Sequence, residues 1–198
     1  QCLKDVLPYL DEVFNGKTGH KTESEETEEH KPQADQDGGT ILYFAYEDLD
    51  KDLAKEIEDM IRSTEGSGPL RVIPCNLNEK SLSKFIRDCE KKYTFVDSQV
   101  IAIGTAGREA YALQGKFSRL YFDNADLTDN ESLLNPHPAK FWVIAQTDDG
   151  EYYKDMGWLY KACKKTGASF EYRVRDGLQN NKTNTISGIE TILNYLIY

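Results

Sequence analysis

From Thr40 onward, short apolar runs alternate with longer amphipathic ones, and this alternation narrows the fold more than any other feature of the chain. The apolar runs are Ile41 to Tyr46, Leu70 to Cys75, Val100 to Ile103, Arg119 to Phe122, Phe141 to Ala145 and Phe170 to Val174, all of strand length. Leu49 to Arg62, Ser81 to Tyr93, Arg108 to Gln114, Tyr152 to Thr166 and Ile186 to Ile197 carry apolar residues at helical spacing. Strands without polar alternation are buried on both faces, and helices between consecutive strands supply that cover. The pattern predicts an α/β three-layer sandwich around a mostly parallel sheet, spanning residues 40–198, with no internal repeat.

The preceding residues have a different character. Leu3, Val6, Leu7, Leu10 and Phe14 make one apolar stripe, predicting an amphipathic helix over residues 1–14 that Pro8 kinks or shortens. Residues 15–39 bring seven carboxylates between Glu23 and Asp37 and no large aliphatic or aromatic side chain after Gly16. Such a stretch buries too little apolar area to offset its ordering entropy and reads as an acidic flexible loop. Together, residues 1–39 offer a protein partner a docking element.

Charge excludes two partner classes. The 198 residues hold 34 acidic and 24 basic side chains, a net charge of -10, which repels nucleic acid and anionic membrane surfaces. No apolar run approaches the roughly 20 residues that span a bilayer. The chain begins at Gln1 rather than at a methionine, which reads as a processed product or an excised portion and leans toward a secreted or extracytoplasmic protein. The four cysteines, Cys2, Cys75, Cys89 and Cys163, lack C-x-x-C spacing and read as buried apolar residues.

Ligands of parallel α/β sheets bind beyond the carboxyl ends of the strands, so the turns there are where chemistry is expected. The third apolar run opens into Gly104-Thr105-Ala106-Gly107-Arg108 and then a helical stretch. This is the layout of a nucleophile elbow, in which a serine sits on a strained turn between strand and helix. No serine or cysteine occurs at this bend. The fifth run ends in Asp148-Asp149-Gly150, and the last in Gly177-Leu178-Gln179.

From Thr40 to Tyr198 the chain resembles the α/β-hydrolase family, most closely its compact esterases of the feruloyl, acetyl-xylan and S-formylglutathione type. Against their G-x-S-x-G-G-x-x-A-L segment, this sequence reads Gly104-Thr105-Ala106-Gly107-Arg108-Glu109-Ala110-Tyr111-Ala112-Leu113. The resemblance implies that Ala106 stands at the serine position, Asp148 or Asp149 at the acid, and Gln179 at the histidine. A methyl group cannot attack an ester, and an amide cannot take a proton at neutral pH. None of His20, His30 and His137 follows the last strand. Where an oxyanion-hole signature is expected, Tyr46-Glu47-Asp48 brings carboxylates instead.

These readings lead to an expected function: a catalytically inactive, esterase-like protein that binds or scaffolds. Its pocket is expected from Tyr46, Gly104, Thr105, Ala106, Gly107, Asp148, Asp149 and Gln179, for a small acyl or carbohydrate ligand, with no cofactor or metal. Alternatives are an active hydrolase using Thr105 as a displaced nucleophile or a bound metal, and a structural module of a larger secreted assembly. Asp123, Asp126, Asp148 and Asp149 lack calcium-loop spacing and read as solvated turn carboxylates. Gly104 to Arg108 lacks the glycine spacing of a phosphate loop. Tyr152, Tyr153, Trp158 and Tyr160 offer either sugar stacking or packing on the sheet.

Overall fold

A computed structural model of the chain describes residues 39–64, 70–148, 150–177 and 181–196. The expected helix over 1–14 and nearly all of the acidic loop over 15–39 lie outside these residues, as do Asp149, Gln179, His20 and His30. In chain order the elements are β1 (Gly39–Tyr46), α1 (Lys51–Ser63), β2 (Leu70–Asn76), α2 (Leu82–Lys92), β3 (Phe95–Gly104), α3 (Gly107–Ala112), β4 (Arg119–Ala125), β5 (Phe141–Thr147), α4 (Tyr153–Thr166), β6 (Ser169–Arg175) and α5 (Asn181–Leu193).

The six strands form one parallel sheet in the order β2-β1-β3-β4-β5-β6. Side chains alternate between its two faces, and both are apolar, as the unbroken apolar runs require. Leu42, Phe44, Ile101, Tyr121 and Val143 pack against Leu53, Ile57 and Ile61 of α1 and Ile189 and Ile192 of α5. Tyr43, Val100, Leu120, Phe122, Trp142 and Ile144 pack on the other face with Leu82 and Ile86 of α2 and Met156 and Leu159 of α4. Each fully buried side chain of this size contributes about 1.5–3 kcal/mol relative to exposure. The fold is the three-layer α/β arrangement that the alternation predicts.

Local chemistry sets the helix ends. Asp50 Oδ1 accepts from the N–H groups of Asp52 and Leu53 and so caps α1. The first N–H of α2, at Leu82, donates to Glu109 Oε2 on α3 at 2.7 Å, so the cap comes from another helix. Pro74, which has no N–H to donate, lies in the edge strand β2. Cys75, Cys89 and Cys163 are buried and unbridged, and burial pushes the Cys163 thiol up to about 12. No helix among the described residues is long and apolar enough to cross a membrane.

The chain runs from β1 outward to β2, then returns to place β3 on the other side of β1. At such a reversal the connections leave β1 and β3 in opposite directions and open a crevice at the carboxyl edge of the sheet. This positions the site.

Candidate functional site

A cleft of about 750 Å³ opens at that crevice. Each strand from β1 to β5, β2 aside, ends in it. Glu47, Asp48 and Leu49 follow β1, Gly104 and Thr105 close β3, Asp123 and Asn124 end β4, and Thr147, Gly150, Glu151 and Tyr152 follow β5. Asn184 and Thr185 from the first turns of α5 complete the lining.

Backbone conformation singles out the rim. Four described residues have left-handed φ, and three of them, Asp48 (52°), Gly104 (56°) and Asn124 (42°), line the cleft. The fourth, Gly167, ends α4. Such conformations carry a local cost and concentrate where function is built. Asn124 is held there by its own side chain: Oδ1 accepts from Thr147 N–H at 2.9 Å and from Thr147 Oγ1 at 3.3 Å, tying the end of β4 to that of β5. At Gly104 a Cβ would meet nothing within 4 Å, so the position faces open space.

The floor is made by a buried ion pair. Asp123 is 2% exposed, and its Oδ1 accepts from Arg175 Nη2 at 2.9 Å across β5 and from Asn124 Nδ2 at 3.4 Å. Above it lies Gly188 of α5, where any Cβ would collide with Asp123 Oδ2. Burial raises the Asp123 pKa to about 6, and the Arg175 guanidinium opposes that rise. Arg175 Nε and Nη1 are buried without a hydrogen-bond partner.

The structure separates the residues that the sequence groups into one pocket. Gly104 and Thr105 line the cleft; Thr105 is exposed and its hydroxyl makes no hydrogen bond among the described residues. Ala106 does not: it has helical φ and ψ of -64° and -15°, is fully buried, and packs into the core on the α2 and α4 face. The left-handed residue at the end of β3 is Gly104, two positions before it. Gly107 is buried as well, its Cα against the carbonyl of Asp126, which lets α3 close on β4. Tyr46 packs at a tilt on Phe44, ring centroids 5.0 Å apart, and stays outside the lining. Asp148 is exposed and outside it too, with Oδ1 accepting from Gly177 N–H at 2.6 Å.

Other expectations sort similarly. Asp123 is no solvated turn carboxylate but a buried one; Asp126 is engaged by Arg108, which also reaches Asp129 and so leaves no unpaired cation at the bend. Among the described residues no group of three or more His, Cys, Asp and Glu side chains is placed to hold a metal ion. Of the four aromatics near α4, only Tyr152 lines the cleft; Tyr160 stacks on Tyr172 and Trp158 packs on the core. His137 sits on the loop entering β5, at the amino end of the sheet, accepting from Ala139 N–H.

Sequence reading missed Asp123, Asn124, Arg175 and Gly188 as a unit. The only signal was a charged residue at the carboxyl end of an apolar strand on both β4 and β6, which sequence alone cannot align without the register.

No protein-family model and no curated protein matches the chain. Nine chains of solved structures are similar to it. Among them is a ferulic acid esterase, with a TM-score of 0.56 at 14% identity, over 81% of this chain and 85% of that one. The likeness is one of fold, a parallel α/β sheet covered by helices.

Proposed function

We propose that this chain is an esterase-like scaffold that binds a small ligand in its cleft without hydrolysing it. The observation carrying this reading is Gly104. In a nucleophile elbow the attacking residue occupies the strained turn directly after the strand, with small residues on either side. Here the left-handed residue ending β3 is Gly104, flanked by buried Ala102 and Ala106 and followed by close-packed Gly107. Read in that register, Ala102-Ile103-Gly104-Thr105-Ala106-Gly107 keeps the small residues of the turn and lacks the nucleophile altogether.

The remaining lining supports the same reading. Among the described residues it contains no serine, cysteine, histidine or lysine. Asp123 has the pKa of a base but is already held by Arg175. A second reading rests on Thr105, an exposed hydroxyl one residue past the bend, which would need a base to activate it.

Hydrolysis of short-chain aryl and feruloyl esters separates the two. The purified chain and Thr105→Ala are expected to show no turnover above buffer. Turnover by the wild-type chain that Thr105→Ala abolishes would overturn the proposal in favour of a threonine hydrolase.

A further inference from the structure

The two edges of the sheet differ. β2 carries Pro74, whereas β6, Ser169-Phe170-Glu171-Tyr172-Arg173-Val174-Arg175, holds no proline and pairs with β5 in unbroken register. A regular edge of that kind is a template for another strand, and folds usually guard it with proline, a bulge or charge. The backbone of β6 faces two ways. Arg175 turns its carbonyl toward β5, where it accepts from Asp148 N–H at 3.0 Å, so the alternation along a strand turns the main-chain groups of Glu171 and Arg173 the same way. Phe170, Tyr172 and Val174 turn theirs outward, where they make no hydrogen bond among the described residues.

The order of side chains along β6 selects what fits this edge. In an antiparallel pairing of two copies, outward-facing residues must oppose outward-facing ones, so the two-fold axis falls on one residue of the strand. Centred on Tyr172, the pairing sets Glu171 against the copy's Arg173, Arg173 against its Glu171, and Phe170 against its Val174. Shifted by one residue in either direction, it sets Glu171 against Glu171 or Arg173 against Arg173. Opposite charges directly across two strands stabilise the pair and like charges destabilise it, so the first register is favoured. Glu171 and Arg173 also fall at its non-hydrogen-bonded positions, where facing side chains come closest. They already lie 3.0 Å apart along their own strand, with side chains 37% and 51% exposed.

Apolar surface and helix placement agree with this register. Val174 is 50% exposed, and the copy's Phe170 would cover it. Phe170 and Tyr172 are backed by Tyr160, with ring centroids 5.4 and 4.5 Å away. α4 lies over β4, β5 and β6, centred on β5, and α5 packs on β4 and β5. In a continuous sheet the two copies of α4 would therefore run three strand spacings apart, about 14 Å, against a helix diameter of about 10–12 Å.

We infer that β6 pairs antiparallel with β6 of a second copy of this chain about a two-fold axis at Tyr172, joining the two sheets into one. No residue of β6 lines the cleft, so this contact is independent of what the cleft does.

Sedimentation velocity or light scattering on the full chain, across a wide range of protein concentration, is expected to show monomer passing to dimer as concentration rises, with added salt opposing the change. Glu171→Arg and Arg173→Glu each turn both cross-strand pairs repulsive. Each variant alone is expected to associate about tenfold more weakly, while its melting transition measured as a monomer stays in place. Mixed in equal amounts, the two variants oppose arginine to glutamate again at both positions, and the mixture is expected to recover the dimer. A wild-type chain that stays monomeric at every concentration, a dimer indifferent to either reversal, or a pair of variants that fails to recover on mixing overturns the inference.

Discussion

Replacing Gly104 by cysteine would place a thiol in the open space above the end of β3, where a Cβ meets nothing within 4 Å. The left-handed backbone there costs a side chain about 1–2 kcal/mol, which an ordinary domain tolerates. Gly104→Cys is expected to fold and to show one more fast-reacting thiol than the wild-type chain, counted with an aromatic disulfide reagent under native conditions. Failure of that thiol to react would mean that the position does not face the cleft. Asp123 makes a different prediction. Its pKa is about 6 in the folded protein against an ordinary 3.8, so between those values the native state holds a proton that the unfolded chain has released. Stability from this residue is therefore greatest at low pH and declines as pH rises through that window. Asp123→Asn removes the titration: thermal melts between pH 4 and 6.5 are expected to show wild type gaining on the variant as pH falls.

Gly188 matters through the helix that carries it. It lets α5 lie against the Asp123 carboxylate while Ile189 and Ile192 reach the core. Gly188→Ala forces either the helix or the carboxylate to shift, a loss of about 1–3 kcal/mol despite alanine's better helix propensity. Chemical denaturation checks the sign, which propensity alone would reverse. The same helix shows what was legible in the sequence. All six strands lie where the sequence predicts: β1 and β3 to β5 are buried on both faces and carry unbroken apolar runs, whereas the edge strand β6 alternates and buries no residue fully. Boundaries slipped where burial is one-sided. β3 begins at Phe95 rather than Val100, because Asp97, Ser98 and Gln99 are held by pairing with Thr40, Ile41 and Leu42 and not by hydrophobicity. α5 begins at Asn181 rather than Ile186, because its first residues, including Asn184 and Thr185, are polar toward the cleft. Glycine spacing after β3 fits more than one register of the turn, and the sequence does not say that Gly104 is the residue with left-handed φ.

At the scale of the molecule, nothing local builds the cleft. Residues 47 and 185 both line it, as do the ends of three strands between them, and they meet because the parallel sheet brings every carboxyl end to one edge. Asp123 and Arg175, 52 positions apart in sequence, pair across β5 only when β4, β5 and β6 are in register. A partly folded chain therefore owns no fraction of this cleft. A ligand held there would tie the ends of four strands and the start of α5 together, so its binding energy would add to the stability of the folded sheet and be lost when the sheet melts.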